Sequence, residues 1–301
     1  MVSAPATAAG ALAGGALAVA AWHIGPAATW LPGLRTAYFP GLDGRGSPGR
    51  VALTFDDGPD PLSTPHFLRA LEALSVRATF FVLGSRLERA PELGRRMAAA
   101  GHEVAVHGWE HDRPWLPRPG RDAAELARAA ATVQRITGQR PLWYRPPYGI
   151  LTGGRWAAAR RTGLRPVLWS AWGRDWTASA TPDNVVAEAA SRLGPGGTLL
   201  LHDSDAYAAP GAWRVTLAAL PRLVAYCRGL GLEVGRLADH GHPGGGVPYG
   251  FPGRGVRAPA GPGAGLPLRR PAGQGVSGVA IMGRRCGAPR CPRRRRPPGA
   301  R

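Results

Sequence analysis

Two adjacent aspartates stand at the end of an apolar run. In "VALTFDDGP" (residues 51–59), Asp56 and Asp57 follow the strand-like "VALTF" and precede Gly-Pro. Strand alternation would send their side chains to opposite faces, and adjacent like charges repel each other. A divalent cation removes this conflict, because one carboxylate can ligate the ion while the other stays free as a base. Taken alone, however, the same residues are typical of a surface turn.

Two histidines with helical spacing, His107 and His111, come at the end of another strand-like run. A helical turn between them, which Gly108 can accommodate, would bring both imidazoles to one point. Two histidines and one carboxylate form a ligand set for a catalytic divalent metal that keeps one position open for water. Such a metal lowers the pKa of water from about 15.7 toward about 7. Alone, the histidine pair would suggest solvated or core residues; the aspartate pair at another strand end favours the metal site.

Other chemically capable residues also follow predicted strands. The strand bodies are apolar, whereas their ends carry Arg145 and Tyr148, Asp175 and Trp176, and His202. In parallel α/β folds the carboxyl ends of the strands meet on one face, where the chemistry gathers. The repeated placement therefore predicts a single site on one rim.

The fold class follows from alternating periodicity over residues 51–238. Strand and helix patterns that alternate in this way imply a mostly parallel sheet, and about seven units predict a distorted (β/α) barrel. Strand patterns lie at 51–55, 78–84, 102–108, 142–147, 165–172, 197–203 and 232–237. Helical patterns lie at 64–74, 86–101, 121–138, 154–163, 183–193 and 212–230.

The flanking segments differ in composition from this domain. Residues 4–34 contain no Asp, Glu or Arg, which predicts a signal peptide or membrane anchor over 1–34, with a buried helix as the alternative. Residues 35–50 are predicted to be a Gly/Pro linker. The domain is accordingly expected to be extracytoplasmic, either membrane-anchored or secreted. Residues 241–301 contain 16 Gly and 11 Pro, so 239–301 is predicted to be a disordered tail.

The net charge of +19 at first suggests a nucleic-acid partner. However, 12 arginines and no acidic residue lie in residues 241–301, so most of the excess belongs to the tail. Nothing in residues 51–238 resembles a nucleic-acid motif, and no basic-aromatic groove is indicated. We therefore expect no nucleic-acid partner and a monomeric protein.

Together the motifs resemble those of the polysaccharide deacetylase family, carbohydrate esterase family 4, whose catalytic unit is the NodB homology domain. The resemblance covers about residues 50–238. The matching motifs, in order, are "TFDDGP" (54–59), the histidines of "HGWEH" (107–111), "RPPYG" (145–149), the Asp and Trp of "WGRDW" (172–176), and "LLH" (200–202).

This resemblance implies a metal centre and a general base. Asp57, His107 and His111 would bind a divalent metal, usually Zn²⁺, with Co²⁺, Mn²⁺ or Ni²⁺ as alternatives. Asp56 would be the base that activates water, and Arg145 would pair with it.

The resemblance also implies the groups that stabilise and protonate the reacting amide. The backbone N–H of Tyr148 would hold the developing oxyanion. His202 would be the general acid, with Asp175 accepting from its other ring nitrogen and raising its pKa. Trp176 and Leu200 would line a small apolar pocket for the acetyl methyl group.

Two positions depart from the family pattern. Gly108 replaces a Ser or Thr whose hydroxyl steadies the loop between the two histidines. Trp172 stands where an Asp is usual. Neither change removes a predicted ligand, base or acid; they affect loop rigidity and substrate contacts.

The predicted function is metal-dependent removal of N-acetyl groups from amino-sugar polymers, either peptidoglycan or a chitin-like glycan. The alternatives are O-deacetylation of xylan-type chains, and deacetylation or deformylation of a lipid-linked sugar. Outside this chemistry, the chain could be an inactive glycan-binding module on the same fold.

Overall fold

The computed structural model describes residues 4–113 and 115–241. The predicted disordered tail therefore lies outside the described residues from residue 242 onward. The strands are β1 Arg50–Asp56, β2 Thr79–Leu83, β3 Glu103–Gly108, β4 Trp143–Tyr144, β5 Arg165–Pro166, β6 Ala171–Trp172, β7 Thr198–His202 and β8 Glu233–Gly235. The helices are α1 Ala4–Ile24, α2 Pro32–Tyr38, α3 Thr64–Ala73, α4 Gly84–Arg89, α5 Pro91–Ala99, α6 Pro119–Thr137, α7 Gly153–Arg161, α8 Pro182–Ala190 and α9 Ala212–Gly229.

The strands form one parallel sheet in the order β5-β4-β3-β2-β1-β7-β6, and β8 extends it by pairing with the start of β1. The predicted distorted barrel is therefore confirmed, as a curled sheet with β5 and β6 at its two edges. All the described ladders are parallel, so the carboxyl ends of the central strands β1, β3 and β7 share one face. This arrangement positions the residues that follow those strands.

Alternation along β1 separates the helix-facing core from the barrel interior. Leu53 and Phe55 belong to the large cluster that packs against the helices, whereas Ala52 belongs to a smaller cluster inside the barrel. Thr54 and Asp56 share the parity of Ala52, and both are buried. Polar residues therefore enter the barrel at the upper end of an otherwise apolar strand.

The strand predicted over 165–172 is wrong as a continuous element, because the chain crosses from one sheet edge to the other within it. The Val167 N–H donates to the carbonyl of Tyr144 on β4, whereas the Ser170 N–H donates to the carbonyl of Thr198 on β7. Between them, the Leu168 N–H donates to the carbonyl of Leu42 at 2.6 Å. This crossing bridges the gap between β5 and β6.

Part of the predicted linker at 35–50 is packed against the domain. Helix α2 and a 3-10 turn at Pro40–Asp43 occupy it, and Leu42 is buried. The Gly44 carbonyl accepts a hydrogen bond from the Thr198 hydroxyl at 2.8 Å. The segment thus covers the opening that β5 and β6 leave, which its Gly/Pro content did not indicate.

The helical stretch predicted at 86–101 is two helices. Helix α4 ends at Arg89, and α5 begins with Pro91 in its first turn. Proline has no N–H to donate and disfavours helical geometry in the preceding residue, so it begins a helix more readily than it continues one.

The N-terminal segment forms α1, whose end packs against α7. A side chain at Gly153 would collide with the carbonyl of Trp22, and His23 is buried. Among the residues that the structure describes, no helix combines the length and the apolar character needed to cross a bilayer. The signal peptide or anchor stays a prediction.

Truncation of the aromatic core should test this packing. Phe80 stacks on Phe55 with ring centroids 5.2 Å apart, and its side chain is fully buried. We expect Phe80→Ala to lower the free energy of unfolding by about 3–5 kcal/mol in urea titrations. Leu62→Ala, at a side chain that is 63% exposed, should change it by less than about 0.5 kcal/mol. Equal losses in both variants would contradict the assigned core.

Candidate active site

A cavity of about 410 Å³ opens at the carboxyl ends of the central strands. The structure brings most of the predicted site residues to it: Asp56, Asp57, His107, His111, Tyr148, Trp176, Leu200 and His202 all line its wall. The other two, Arg145 and Asp175, lie fully buried behind Asp56 and His202. The structure therefore places the predicted site residues together on one rim of the sheet.

A reversal of the backbone at Asp57 separates the carboxylates of the two adjacent aspartates. Asp56 ends β1, whereas Asp57 adopts a φ of 76°, in the left-handed region that Asp tolerates better than most residues. Both side chains are buried. The reversal separates their surroundings: Oδ1 of Asp56 faces Arg145 and its Oδ2 lies 3.8 Å from Nδ1 of His107, whereas Asp57 faces Nε2 of both histidines.

Gly58 is required by a third carboxyl group beneath this turn. A Cβ at Gly58 would lie 2.5 Å from Oδ1 of Asp203, so no side chain fits there. Asp203 is fully buried, accepts a hydrogen bond from the Thr64 hydroxyl, and has a pKa raised to about 7 by burial and by the charge of Asp57. The motif glycine therefore reflects close packing as well as turn formation.

Asp57, His107 and His111 meet the requirements of a metal site. Oδ1 of Asp57 lies 3.3 Å from Nε2 of each histidine, and the three ligand atoms lie within 4.8 Å of one another. Two ligands of a tetrahedral ion at about 2.1 Å are separated by about 3.4 Å. The same Asp57 oxygen is buried without a hydrogen-bond partner in the described part of the chain. A shared cation would satisfy it.

The electrostatics also suit a ligand set. Burial raises the pKa of Asp57, but the adjacent His107 and the nearby His202 and His111 outweigh it and lower that pKa to about 2. Burial and the neighbouring His107 lower the pKa of His111 to about 4. At neutral pH, Asp57 is therefore anionic and His111 is neutral, which are the forms that bind a metal.

Arg145 crosses the barrel interior to reach Asp56. One of its Nη atoms donates to Oδ1 of Asp56 and to the Thr54 hydroxyl, both at 2.8 Å, and the other donates to the Leu168 carbonyl at 2.9 Å. Its guanidinium lies 4.0 Å from the centroid of the Phe81 ring. Burial lowers the pKa of Arg145, while the charge of Asp56 opposes that shift. The pair leaves Oδ2 of Asp56 as the oxygen not bound by Arg145.

His202 forms a second buried pair, with Asp175. Nδ1 of His202 lies 3.0 Å from Oδ1 of Asp175, whose Oδ2 accepts from the His202 backbone N–H and from the Thr216 hydroxyl, each at 2.8 Å. Burial lowers the pKa of His202, but the charge and hydrogen bond of Asp175 outweigh it and raise that pKa to about 10. Because Nδ1 is held by Asp175, Nε2 is the ring nitrogen left for the cavity.

Tyr148 lies at the mouth of the cavity on a strained turn. Its φ of 57° is unusual for a bulky residue, and the following Gly149 also has a positive φ of 71°. A Cβ at Gly149 would lie 2.9 Å from the Trp169 ring, so glycine permits both the turn and this contact. The ring of Tyr148 packs edge-on against His111. The turn therefore ties the "RPPYG" segment to a predicted ligand.

Three cavity residues were not predicted from the sequence. Tyr207 stacks on His111 with ring centroids 4.1 Å apart, Arg113 lies over the Tyr148 ring at 4.1 Å, and Trp169 borders Gly149. Tyr207 and Arg113 follow the strand ends at β7 and β3, so their position in the chain was a usable signal. Trp169 lies inside the predicted 165–172 strand, where an inward direction could not be inferred.

A buried arginine lies beside Gly108, the position at which the family pattern has a Ser or Thr. Gly108 has a φ of 141°, and a Cβ there would lie 3.1 Å from the Glu110 carbonyl and 3.7 Å from Nη1 of Arg155. The Arg155 guanidinium is buried and pairs with Asp112, the residue after His111. Its other partners are Tyr144, Asp122 and Glu125. Arg155 thus anchors the ligand loop from the side that a Ser or Thr would occupy.

The Trp172 departure gives the cavity an aromatic wall. Its ring lies 5.8 Å from that of Trp169 and 6.0 Å, edge-to-face, from that of Trp176. The indole N–H of Trp172 donates to Glu188 at 3.3 Å. A substrate would therefore meet flat apolar rings, not a carboxylate, at this position.

Comparison with known proteins finds relatives that match much of this domain. Residues 43–167 match the family model described as Polysaccharide deacetylase. A chitooligosaccharide deacetylase of a Bradyrhizobium species is 40% identical over 154 residues, which are 51% of this chain and 70% of the relative. The chain belongs to the polysaccharide deacetylase family.

Two further relatives of this family extend the comparison. The peptidoglycan-N-acetylmuramic acid deacetylase of Bacillus subtilis is 36% identical over 155 residues, which are 51% of this chain and 32% of that protein. A family 4 carbohydrate esterase from Streptomyces lividans, solved in complex with acetate, is 35% identical with a TM-score of 0.56. The match covers 62% of this chain and 92% of the esterase. The deacetylase fold therefore accounts for most of the described domain.

Loss of the Arg155 anchor should weaken metal binding. Arg155→Met removes the buried partner of Asp112, whose other oxygen still pairs with Arg118, and so loosens the His111 loop. We expect a 10–100-fold loss of Zn²⁺ affinity by calorimetry, as for other groups that orient ligands. Asp112→Asn, at a side chain that is 27% exposed, should also lower the affinity, with less effect on folding. Arg160→Met, exposed on the same helix, is the control. Unchanged affinity in folded Arg155→Met and Asp112→Asn would refute the anchoring role.

Asp175→Asn should change the pH dependence of stability in the metal-free protein. His202 has a higher pKa folded than unfolded, so its pair with Asp175 stabilises fully below about pH 6.5, and this contribution is lost as the pH rises toward about 10. The difference in unfolding free energy between wild type and Asp175→Asn should shrink across that window. Urea titrations and an NMR titration of His202 would measure it.

Thr216→Val is the matched control, since it removes one hydrogen bond from Asp175 without removing charge. Its effect on the free energy of unfolding should stay constant from pH 6.5 to 10. An unshifted His202 titration in Asp175→Asn would show that Asp175 does not set this pKa.

Proposed function

We propose that the chain is a metal-dependent hydrolase that removes N-acetyl groups from amino-sugar polymers and releases acetate. The observation that carries this proposal is the convergence, in one cavity, of a ligand triad, a carboxylate paired with arginine, and an imidazole paired with carboxylate. Amide hydrolysis needs an electrophilic centre, a base for water and an acid for the leaving amine. Each of these requirements has its own group here.

Asp57, His107 and His111 would hold a divalent cation, with Zn²⁺ best suited to two imidazoles and one carboxylate. When bound, such an ion polarises the amide carbonyl and lowers the pKa of a water molecule. The rings of Tyr207 and Tyr148 both pack against His111 and would hold that ligand in place. The identity of the metal is part of the proposal.

Asp56 would accept the proton from the attacking water. Its Oδ1 is held by Arg145, so Oδ2 is the oxygen available, and Asp56 lines the cavity beside the triad. Asp56 is outside the group of three ligand residues, and its Oδ2 lies 3.8 Å from Nδ1 of His107. The two adjacent carboxylates would therefore perform different tasks.

His202 would donate a proton to the departing amine. Asp175 fixes Nδ1, so the proton is presented from Nε2, and the raised pKa of His202 keeps the imidazole protonated at neutral pH. The Trp176 ring packs edge-on against His202 at 5.5 Å. This contact limits the imidazole to one orientation.

The remaining groups would bind the acetyl unit. The backbone N–H of Tyr148, on its left-handed turn, would donate to the developing oxyanion, a contact typically worth about 3–4 kcal/mol. Leu200 and Trp176 offer an apolar surface for the methyl group at the inner wall. The Trp172 ring would contact the sugar.

The proposed substrate is a polymer of N-acetylated amino sugars, in line with the relatives named above for chitooligosaccharide and peptidoglycan deacetylation. We further propose an extracytoplasmic location. The apolar N-terminal segment supports it, because Leu17, Val19 and Trp22 expose about half or more of their surfaces. Such exposure suits contact with a membrane or another apolar surface.

Acetate release by the metal-loaded chain tests the proposal. We expect release from chitooligomers or peptidoglycan fragments, its loss in a chelator, and partial recovery with Zn²⁺, Co²⁺ or Mn²⁺. Asp56→Asn should retain metal but lose turnover by about 10²–10⁴-fold, since only the base is removed. Asp183→Asn, at an exposed carboxylate paired with Arg222, is the control.

Other outcomes would identify a different function. Full activity in chelator, or wild-type turnover in Asp56→Asn, would refute the mechanism. Faster release from acetylated xylan than from any amino sugar would indicate an O-deacetylase. Tight binding of chitooligomers with no acetate from any substrate would indicate a glycan-binding module.

A further inference from the structure

A second, smaller cavity of about 110 Å³ adjoins the active-site cavity. The two cavities share four wall residues, so a ligand in the smaller one would lie beside a substrate in the larger one. The shared residues are Tyr148, Gly149, Trp169 and Trp172, and the smaller cavity adds Arg35, Leu168, Ser170 and Arg192. Two arginines thus face a space next to the reacting centre.

Arg35 brings to this cavity a charge that has no carboxylate in direct contact with it among the described residues. The residue is 9% exposed, and its Nε is buried without a hydrogen-bond partner in the described part of the chain. Across that same part, no carboxylate forms an ion pair with its guanidinium. Asp43 attracts Arg35 at longer range but is paired with Arg45 at 3.3 Å. A buried cation without a partner is unfavourable, and a bound anion would relieve it.

Arg192 differs, because its charge is already balanced. Its Nε and Nη2 lie 3.1 Å and 3.0 Å from Oε1 of Glu188, and its guanidinium lies 5.5 Å from the Trp172 ring. The cavity therefore carries one net positive charge in a small volume. This charge matches a monoanion better than a phosphate dianion, and a planar guanidinium fits a carboxylate.

We propose that this cavity binds a carboxylate carried by the glycan close to the acetylated sugar. The inference rests on the proposed function and narrows its substrate to acidic amino-sugar polymers, of which a muramic-acid glycan is the test case, over neutral chitin-like chains. Arg35 lies in α2 and Arg192 follows α8, and both positions are outside residues 43–167 that match the family model. The preference would accordingly be a property of residues outside that matched range.

A matched set of disaccharides tests the proposal on the full metal-loaded chain. The substrates are N-acetylglucosaminyl-N-acetylmuramic acid, its methyl ester, and neutral chitobiose. Arg35→Gln should raise KM for the free acid about tenfold or more, because a charge-assisted contact is lost, and leave kcat nearly unchanged. KM for the ester and for chitobiose should not change. Arg35→Lys should restore part of the affinity for the free acid.

Arg45→Gln is the control, as it removes an exposed arginine from the same segment. Calorimetry of the free acid with wild type and Arg35→Gln measures binding independently of turnover. If the chain releases no acetate but still binds the free acid in a way that depends on Arg35, the proposed function is refuted and the carboxylate site is supported. An equal loss on all three disaccharides, or no loss, would overturn the site. If Arg35→Gln weakens binding of N-acetylglucosamine 1-phosphate more than binding of the free acid, the site binds phosphate and the carboxylate proposal is overturned.

Discussion

The site depends on the buried ion pair between Arg145 and Asp56. Each side chain is almost completely removed from water, so each charge requires the other. The same guanidinium also binds Thr54 and the Leu168 carbonyl, and so joins β1, β4 and the crossing chain at the barrel opening. With Asp56 held in this way, the reversed backbone at Asp57 directs the second carboxylate to the histidines. The Arg145–Asp56 pair therefore fills the barrel interior and also holds Asp56 away from the position of a metal ligand, where it can act as the proposed base.

Around this pair, each group with a proposed catalytic role has a buried partner that sets its orientation. Asp175 holds His202 through one ring nitrogen and is itself held by Thr216. Arg155 holds the loop of His111 through Asp112, in a place where the family pattern has a hydroxyl. The two ways of holding the ligand loop differ chemically. A hydroxyl forms a neutral local hydrogen bond, whereas Arg155 connects the ligand loop to helices α6 and α7 through several carboxylates.

The N-terminal segment is part of the domain's architecture. Within the predicted linker, the 3-10 turn Pro40–Asp43 covers the opening between β5 and β6 with Leu42. Helix α2, which precedes this turn, places Arg35 beside the active-site cavity. A segment rich in Gly and Pro was reasonably predicted to be a linker, since those residues favour irregular backbone. Its packing depends on an unpaired sheet edge about 120 residues away in the chain, and no local pattern in the segment reports that edge.

The sequence by itself determined the family, the parallel barrel and the residues at the strand ends. Strand bodies buried on both faces must be apolar, so polar residues after them stand out, and parallel strands bring their ends together. Only the tertiary structure decided which partners those residues have. Tyr207 on His111, Arg155 behind Gly108 and Trp169 against Gly149 are contacts between separate segments of the chain, and Arg35 lines the same cavity as Trp172. Such contacts follow from packing in three dimensions, which local periodicity and motif spacing do not encode.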